Sequence, residues 1–248
     1  MGRNITVKVA GLASGIAAAR ARITPTLEAA AENTGVLVEA VRVRLTALDP
    51  RSAVLAQAAA EVDGRRIRVQ RVATGPGAAS ERLAEALRTR IAEVTGEWCP
   101  RLQQRSAASP VPGPRSGDAP RIDRVKSPEL VWCSPDTAAR TMDAMDYDIH
   151  LFTDPDTETD AAVFRAGPTG YQLARTDAGP PPHSRNVAMT LSEKAAELLT
   201  DAQALARAAA AELPYLFYAD PETGRGRILY RRFTGGFGLI RPAGDAFA

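Results

Sequence analysis

Asp154, Asp156, Glu158 and Asp160 fall at alternate positions of "DPDTETD", the spacing with which a calcium-binding loop opens. Such a loop needs glycine at its sixth position for a sharp turn and a bidentate glutamate at its twelfth. Thr159 and Arg165 stand there instead. A tight turn with solvated acids is expected. "VAGLASG" sets glycines between a strand and a helix, but without the G-x-G-x-x-G spacing that lets backbone approach a pyrophosphate. His150 and His183 are the only histidines, and Cys99 and Cys133 the only cysteines. They form no zinc spacing and no nucleophile–histidine set. No catalysis, metal, cofactor or small-molecule substrate is expected, and the thiols are expected to be reduced, as in a cytoplasmic protein.

The basic residues carry the stronger signal. Lys8, Arg42, Arg44, Arg66 and Arg68 fall on the polar phase of three strands, with Arg71 following on the last. Arg20 and Arg22 lie on a first helix, and Arg82, Arg88 and Arg90 on a second. A solvated surface would carry the same charges. Two features favour RNA: Arg far outnumbers Lys, and the sheet phase is consistently basic. Guanidinium forks engage phosphates bidentately. This half has almost no aromatics to stack on bases, so contacts to backbone and shape are expected. The chain's formal net charge is only +2. Its spread is uneven: roughly +4 over 1–98, roughly +4 over 99–127 and roughly −7 over 128–178. A basic front half implies an anionic partner.

The elements that would position these residues can be read from periodicity. "ITVKVA" alternates as a strand. Ile16, Ala19, Ile23, Leu27 and Ala30 recur at helical spacing, with Ser14 able to cap and Pro25 expected to kink or restart the helix. "VLVEAVRVRLTAL", "SAVLAQAAAEV" and "RRIRVQRVA" read as three more strands, the last two joined by an Asp63-Gly64 turn. "TGPG" reads as a break, after which Ser80 opens a helix striped by Leu83, Leu87, Ile91 and Val94. The order β-α-β-β-β-α predicts an α+β domain, with helices on one face of an antiparallel sheet. No apolar run approaches membrane-spanning length and no secretory signal is read; "MGRNIT" matches a myristoylation pattern and is read as accidental.

Residues 99–124 are rich in Pro, Ser, Gly and Arg without periodicity, and read as a linker. An internal repeat follows. Asp154–Arg175 aligns without a gap on Asp220–Arg241: Asp154, Pro155, Thr157, Arg165, Gly170, Leu173 and Arg175 meet Asp220, Pro221, Thr223, Arg231, Gly236, Leu239 and Arg241. A helix-like stretch precedes each copy, at 136–146 and 192–212. Each unit, 125–180 and 185–248, is therefore a strand or loop, a helix and a three-stranded meander. Units so small have marginal cores.

"LFYADPETGRGRILYRRFTGGFGLI" closely resembles the C-terminal domain signature of the long-form bacterial ribosome hibernation-promoting factors, and the duplicated unit is similar to the actinobacterial type. The β-α-β-β-β-α order resembles that family's ribosome-binding domain. The resemblance implies a stress-induced, non-enzymatic translation inhibitor. Residues 1–98 would occupy the mRNA and tRNA channel of the small subunit near the decoding centre, against its rRNA. The C-terminal domain of such factors self-associates and in many members pairs ribosomes. Here the sister unit could be the partner, leaving single ribosomes, or pairing could run between chains. The first meander is acidic and the second carries Arg225, Arg227, Arg231 and Arg232, which favours pairing with each other over self. Val163 and Leu173 in one unit, and Phe217, Ile228, Tyr230 and Leu239 in the other, are expected to supply the buried surface. Two other readings stay open: a general RNA-binding module, and a protein-interaction adaptor with solvated arginines.

Overall fold

The computed structural model describes residues 5–48, 53–100, 119–165, 170–179 and 186–244. It divides into two compact units, Met1–Cys99 with Asp143–Asp146, and Pro100–Met142 with Tyr147–Ala248. His183 and most of the expected linker lie outside the described residues.

The first unit runs β1 (Lys8–Gly11), α1 (Ala13–Thr34), β2 (Val38–Ala47), β3 (Ala53–Val62), β4 (Arg65–Thr74) and α2 (Gly75–Thr95). The strands form one sheet in the order β1-β2-β3-β4. The α+β expectation holds with one refinement. β1 pairs parallel to β2, while the other pairs are antiparallel. A helical crossover returns the chain to the end from which β1 began, so β1 and β2 must run the same way. Ala40 (φ 50°) marks a register shift between Glu39 and Arg42. This bulge lets Val38, Val41, Val43 and Leu45 all join the core that Ile23 and Leu27 of α1 and Leu83, Leu87 and Ile91 of α2 share. Asp63 and Gly64 both take positive φ, at 46° and 74°, as a type I′ hairpin turn requires.

Three local expectations are corrected. α1 runs through Pro25 as one helix, so the chain does not restart there. The missing Pro25 amide leaves the Ala21 carbonyl without its helical donor, but both residues are exposed to water. Ser14 lies inside α1, whose cap is Leu12. "TGPG" is not a break: α2 starts at Gly75 with proline in its first turn, where the absent N–H costs nothing. Ser80 is buried, and its hydroxyl donates to the Pro76 carbonyl at 2.7 Å.

The second unit contains both repeats. The first supplies β5 (Ile122–Lys126), α3 (Pro135–Ala144), β6 (Ile149–Asp154), β7 (Thr159–Phe164) and β8 (Gln172–Arg175). The second supplies β9 (Thr190–Leu191), α4 (Asp201–Ala210), β10 (Tyr215–Ala219), β11 (Gly226–Arg231) and β12 (Phe237–Ile240). α4 opens with a reciprocal capping box, the Thr200 hydroxyl accepting from the Gln203 amide. Among the described residues, no helix is long and apolar enough to cross a membrane.

The two meanders exchange their leading strands. The sheets are β6-β7-β8-β9 and β10-β11-β12-β5. β5, which opens the first repeat, pairs parallel with β12 of the second, Gly238 beside Arg124 and Leu239 beside Val125. β9, which opens the second, pairs parallel with β8 of the first, Gln172 beside Thr190 and Leu173 beside Leu191. The two registers are copies of one another. The segment 122–124, expected as the end of the linker, is strand.

Candidate nucleic-acid interface and the contact between the repeats

Alternation along a strand sends successive side chains to opposite faces. On β2, Val41, Val43 and Leu45 face the helices, so Arg42 and Arg44 face away, and both are exposed. The pairing then assembles a row across the sheet. Lys8 lies beside Arg42, Arg42 beside Ala59, and Ala59 beside Arg68. Arg42 and Arg68 stand two strands, about 10 Å, apart. Ala59 between them leaves the surface low. The next row places Arg44 beside Gln57 and Gln57 beside Gln70. Arg68 donates to the Gln70 side chain at 2.7 Å, which also accepts from Gln57 at 3.2 Å. Arg66 is exposed and sits opposite Glu61.

Lys8 also lines an open groove of about 520 Å³ at the β1 edge, with Arg20 and Thr24 of α1. Arg20 thus extends the basic surface around that edge. The other helical arginines do not join it. α1 and α2 cover the opposite face of the sheet, and Arg22, Arg82 and Arg88 are exposed there. Arg88 is ion-paired with Glu85 one turn earlier.

Two expected RNA contacts are corrected. Arg90 is 1% exposed, its Nε 3.1 Å from Glu93. It falls one turn after Leu87 and two after Leu83 on the stripe of α2 that meets the sheet, so its place was legible in the spacing itself. Arg71 is half-buried and shares the inward phase of Ile67, Val69 and Ala73.

In the second unit, the inner faces of the two sheets meet. Ile149, Leu151, Ala162 and Phe164 of the first repeat form one apolar cluster with Tyr215, Phe217, Ile228 and Tyr230 of the second. Phe164 and Tyr215 meet edge to face at 5.8 Å between centroids. Of the residues expected at this contact, Phe217, Ile228 and Tyr230 are there. The others are corrected by the period of two. Leu239 packs on the α4 side with Ala204, Ala208, Tyr218 and Leu229. Val163 alternates with Ala162 and Phe164, so it faces away, together with its cross-strand neighbour Leu173.

The acids of "DPDTETD" are not simply solvated. Asp154 and Asp160 are 0% and 4% exposed. Asp154 accepts from the Asp156 amide at 3.0 Å and closes the turn. Its burial raises the carboxyl above the usual range. Asp160 accepts from Arg225 Nε at 2.7 Å and from the Gly226 amide at 2.9 Å, both in the other repeat. Arg227, expected to help attract the acidic repeat, is instead held inside its own, by Asp201 at 2.9 Å and Asp220 at 2.7 Å.

Residues 117–173 match the family described as Sigma 54 modulation/S30EA ribosomal protein C terminus. That span is the first repeat from its exchanged strand to the start of β8. Over 171 residues the chain is 39% identical to a protein named "Dormancy associated translation inhibitor", in two strains of Mycobacterium tuberculosis. The chain is similar to that family over its first repeat and to these translation inhibitors over a longer stretch. The alignment takes in 64% of this chain, and the chain spans 60% of the length of those relatives. The N-terminal domain of Thermus thermophilus Protein Y, at 19% identity, covers 37% of the chain and 99% of its own length with a TM-score of 0.30. The features missed from sequence are the contact of Asp160 with Gly226 and the strands β5 and β9. Asp160 was visible as an acid. Its partner lies in another strand, and only pairing the repeats brings them together.

Proposed function

We propose that this chain is a ribosome hibernation factor that represses translation under stress by binding the small ribosomal subunit near the decoding centre, where it blocks mRNA and tRNA. The observation that carries the reading is the row Lys8, Arg42 and Arg68 on the open face of a sheet, in a chain 39% identical to proteins named as translation inhibitors. A flat cationic face without aromatics suits rRNA phosphates. The protein acts in the cytoplasm by occupancy, not by catalysis. Residues 1–98 form the ribosome-binding domain, joined through 99–124 to the tandem repeats. The repeats pair within one chain, which uses up the surface that would otherwise link two ribosomes, so the bound particles are single ribosomes. The face-to-face packing of the repeats around Ile228 and the exchange of β5 and β9 support that pairing.

Sedimentation through a sucrose gradient tests the reading. The full chain is expected to travel with small subunits and monosomes and to leave them as salt rises. Replacing Lys8, Arg42 and Arg68 with Ala is expected to release it at lower salt. Binding to any RNA with equal affinity would favour the general RNA-binding alternative, and absence from all ribosomal fractions the adaptor.

A further inference from the structure

Asp160 and Gly226 are equivalent positions of the two repeats, 66 residues apart, and they meet. Where equivalent positions meet, a contact between identical faces would set each residue against itself. Here that pair is unlike. A Cβ on Gly226 would lie 2.9 Å from Asp160 Cβ, 3.0 Å from Phe217 and 3.2 Å from Leu151. The missing side chain of one repeat is the space that the other repeat's carboxylate fills. No left-handed backbone demands a glycine at 226, so its role is this close approach. Arg225 supplies the countercharge, and its equivalent in the first repeat is Thr159.

The apolar positions are unlike in the same sense. The same offset aligns Ile149 with Tyr215, Leu151 with Phe217, Ala162 with Ile228 and Phe164 with Tyr230, all in one cluster. At each of them the second repeat carries the bulkier residue. At 160 and 226 the order is reversed.

We propose that the two faces are orthogonal: each accepts its sister and rejects a copy of itself. Two first-repeat faces would bury Asp160 against Asp160 with no arginine at hand, and would leave a void at Ala162. Two second-repeat faces would overpack their aromatics and Ile228 and give Arg225 no carboxylate. The mixed pair satisfies both charges and fills the volume. The partner this surface fits is therefore a face with a small apolar floor and one buried carboxylate. The inference rests on the pairing of the two repeats proposed above but not on its lying within one chain, since an exchange between two chains would use the same complementary faces.

Hydrogen exchange on the full chain tests it, read at strands 149–164 and 215–231. Gly226→Asp is expected to speed exchange there by about tenfold or more while leaving β2 and β3 unchanged. Adding Asp160→Gly is expected to restore protection to within about threefold of the parent. Should Gly226→Asp prove insoluble, Ala162→Ile alone and with Ile228→Ala applies the same logic to volume. A double variant no better protected than the damaged single overturns the proposal. The mass of the parent by light scattering separates the two readings. A monomer with rescue supports both. A dimer with rescue refutes the intrachain pairing and leaves the orthogonality standing. Failure of rescue overturns the orthogonality whatever the mass.

Discussion

The carboxylate of Asp123 occupies the space that a side chain on Gly236 would need: a Cβ there would lie 1.8 Å from its Oδ2. Asp123 belongs to β5 and Gly236 to the turn before β12, more than a hundred residues later. Arg232 approaches the same carboxylate at 3.6 Å, and the Phe237 amide donates to the Arg121 carbonyl at 3.0 Å. The strand that opens the first repeat is thus fixed on the second. Gly236→Val is expected to destabilise the second unit by about 2 kcal/mol, through overpacking against β5. Equilibrium denaturation checks it. A fragment beginning at residue 119 should unfold cooperatively, whereas one beginning at 127 leaves the β12 edge unpaired and should aggregate or lose cooperativity.

The two faces of the first unit should differ in their effect on RNA. Replacing Lys8, Arg42 and Arg68 with Ala is expected to lower the slope of log affinity against log salt by about 2–3. Replacing Arg22, Arg82 and Arg88, on the helical face, should leave that slope within error. Filter binding to small subunits across a salt series measures both. Equal losses from the two sets would place the interface elsewhere.

His150 stacks between Tyr147 and Phe152, and burial holds its imidazole down to about 4. The unfolded chain takes up a proton near the ordinary value of about 6.5, which the folded chain refuses until about pH 4. Between those limits the unfolded state binds more protons, so stability falls as pH falls. The loss on going from pH 7 to pH 4 is expected to be on the order of 2–3 kcal/mol. His150→Phe keeps the stacking and should flatten the pH dependence over this window, as followed by urea midpoints.

Arg227 is buried between Asp201 and Asp220, and Tyr218 donates to Asp201 at 2.6 Å. Burial alone would raise the Asp220 carboxyl, but the amides of Thr223 and Glu222 and the charge of Arg227 outweigh it, and the carboxyl lies below its usual value. Arg227→Ala strands two carboxylates and is expected to cost about 3 kcal/mol at neutral pH. Asp220 contributes stability above the ordinary carboxylate range that is lost as pH falls through its depressed value. The parent and variant should therefore converge in acid, as thermal midpoints at pH 7 and pH 3 would show.

Local period determined much of this protein from sequence alone. The alternation of Val41, Val43 and Leu45 with Arg42 and Arg44 put apolar and basic side chains on opposite faces before any pairing was known. The stripe of Leu83, Leu87 and Ile91 marked the buried side of α2, and the same spacing, followed to Arg90, would have removed that residue from the basic surface. The gap-free match of 154–175 on 220–241 disclosed the duplication. Tertiary structure decided which strand lies beside which, because pairing is set by closing loops and filling a shared core, and no local signal encodes it. So Lys8 reached Arg42 and Arg68, and Asp160 reached Arg225. Likewise β5 left its own repeat for the sister sheet, since a parallel edge can be completed by any strand of the right face and length. Phase within a strand was legible for Ile228 and Tyr230 and was missed for Val163, Leu173 and Leu239. Both faces of these strands are buried, so hydrophobicity no longer says which side looks inward.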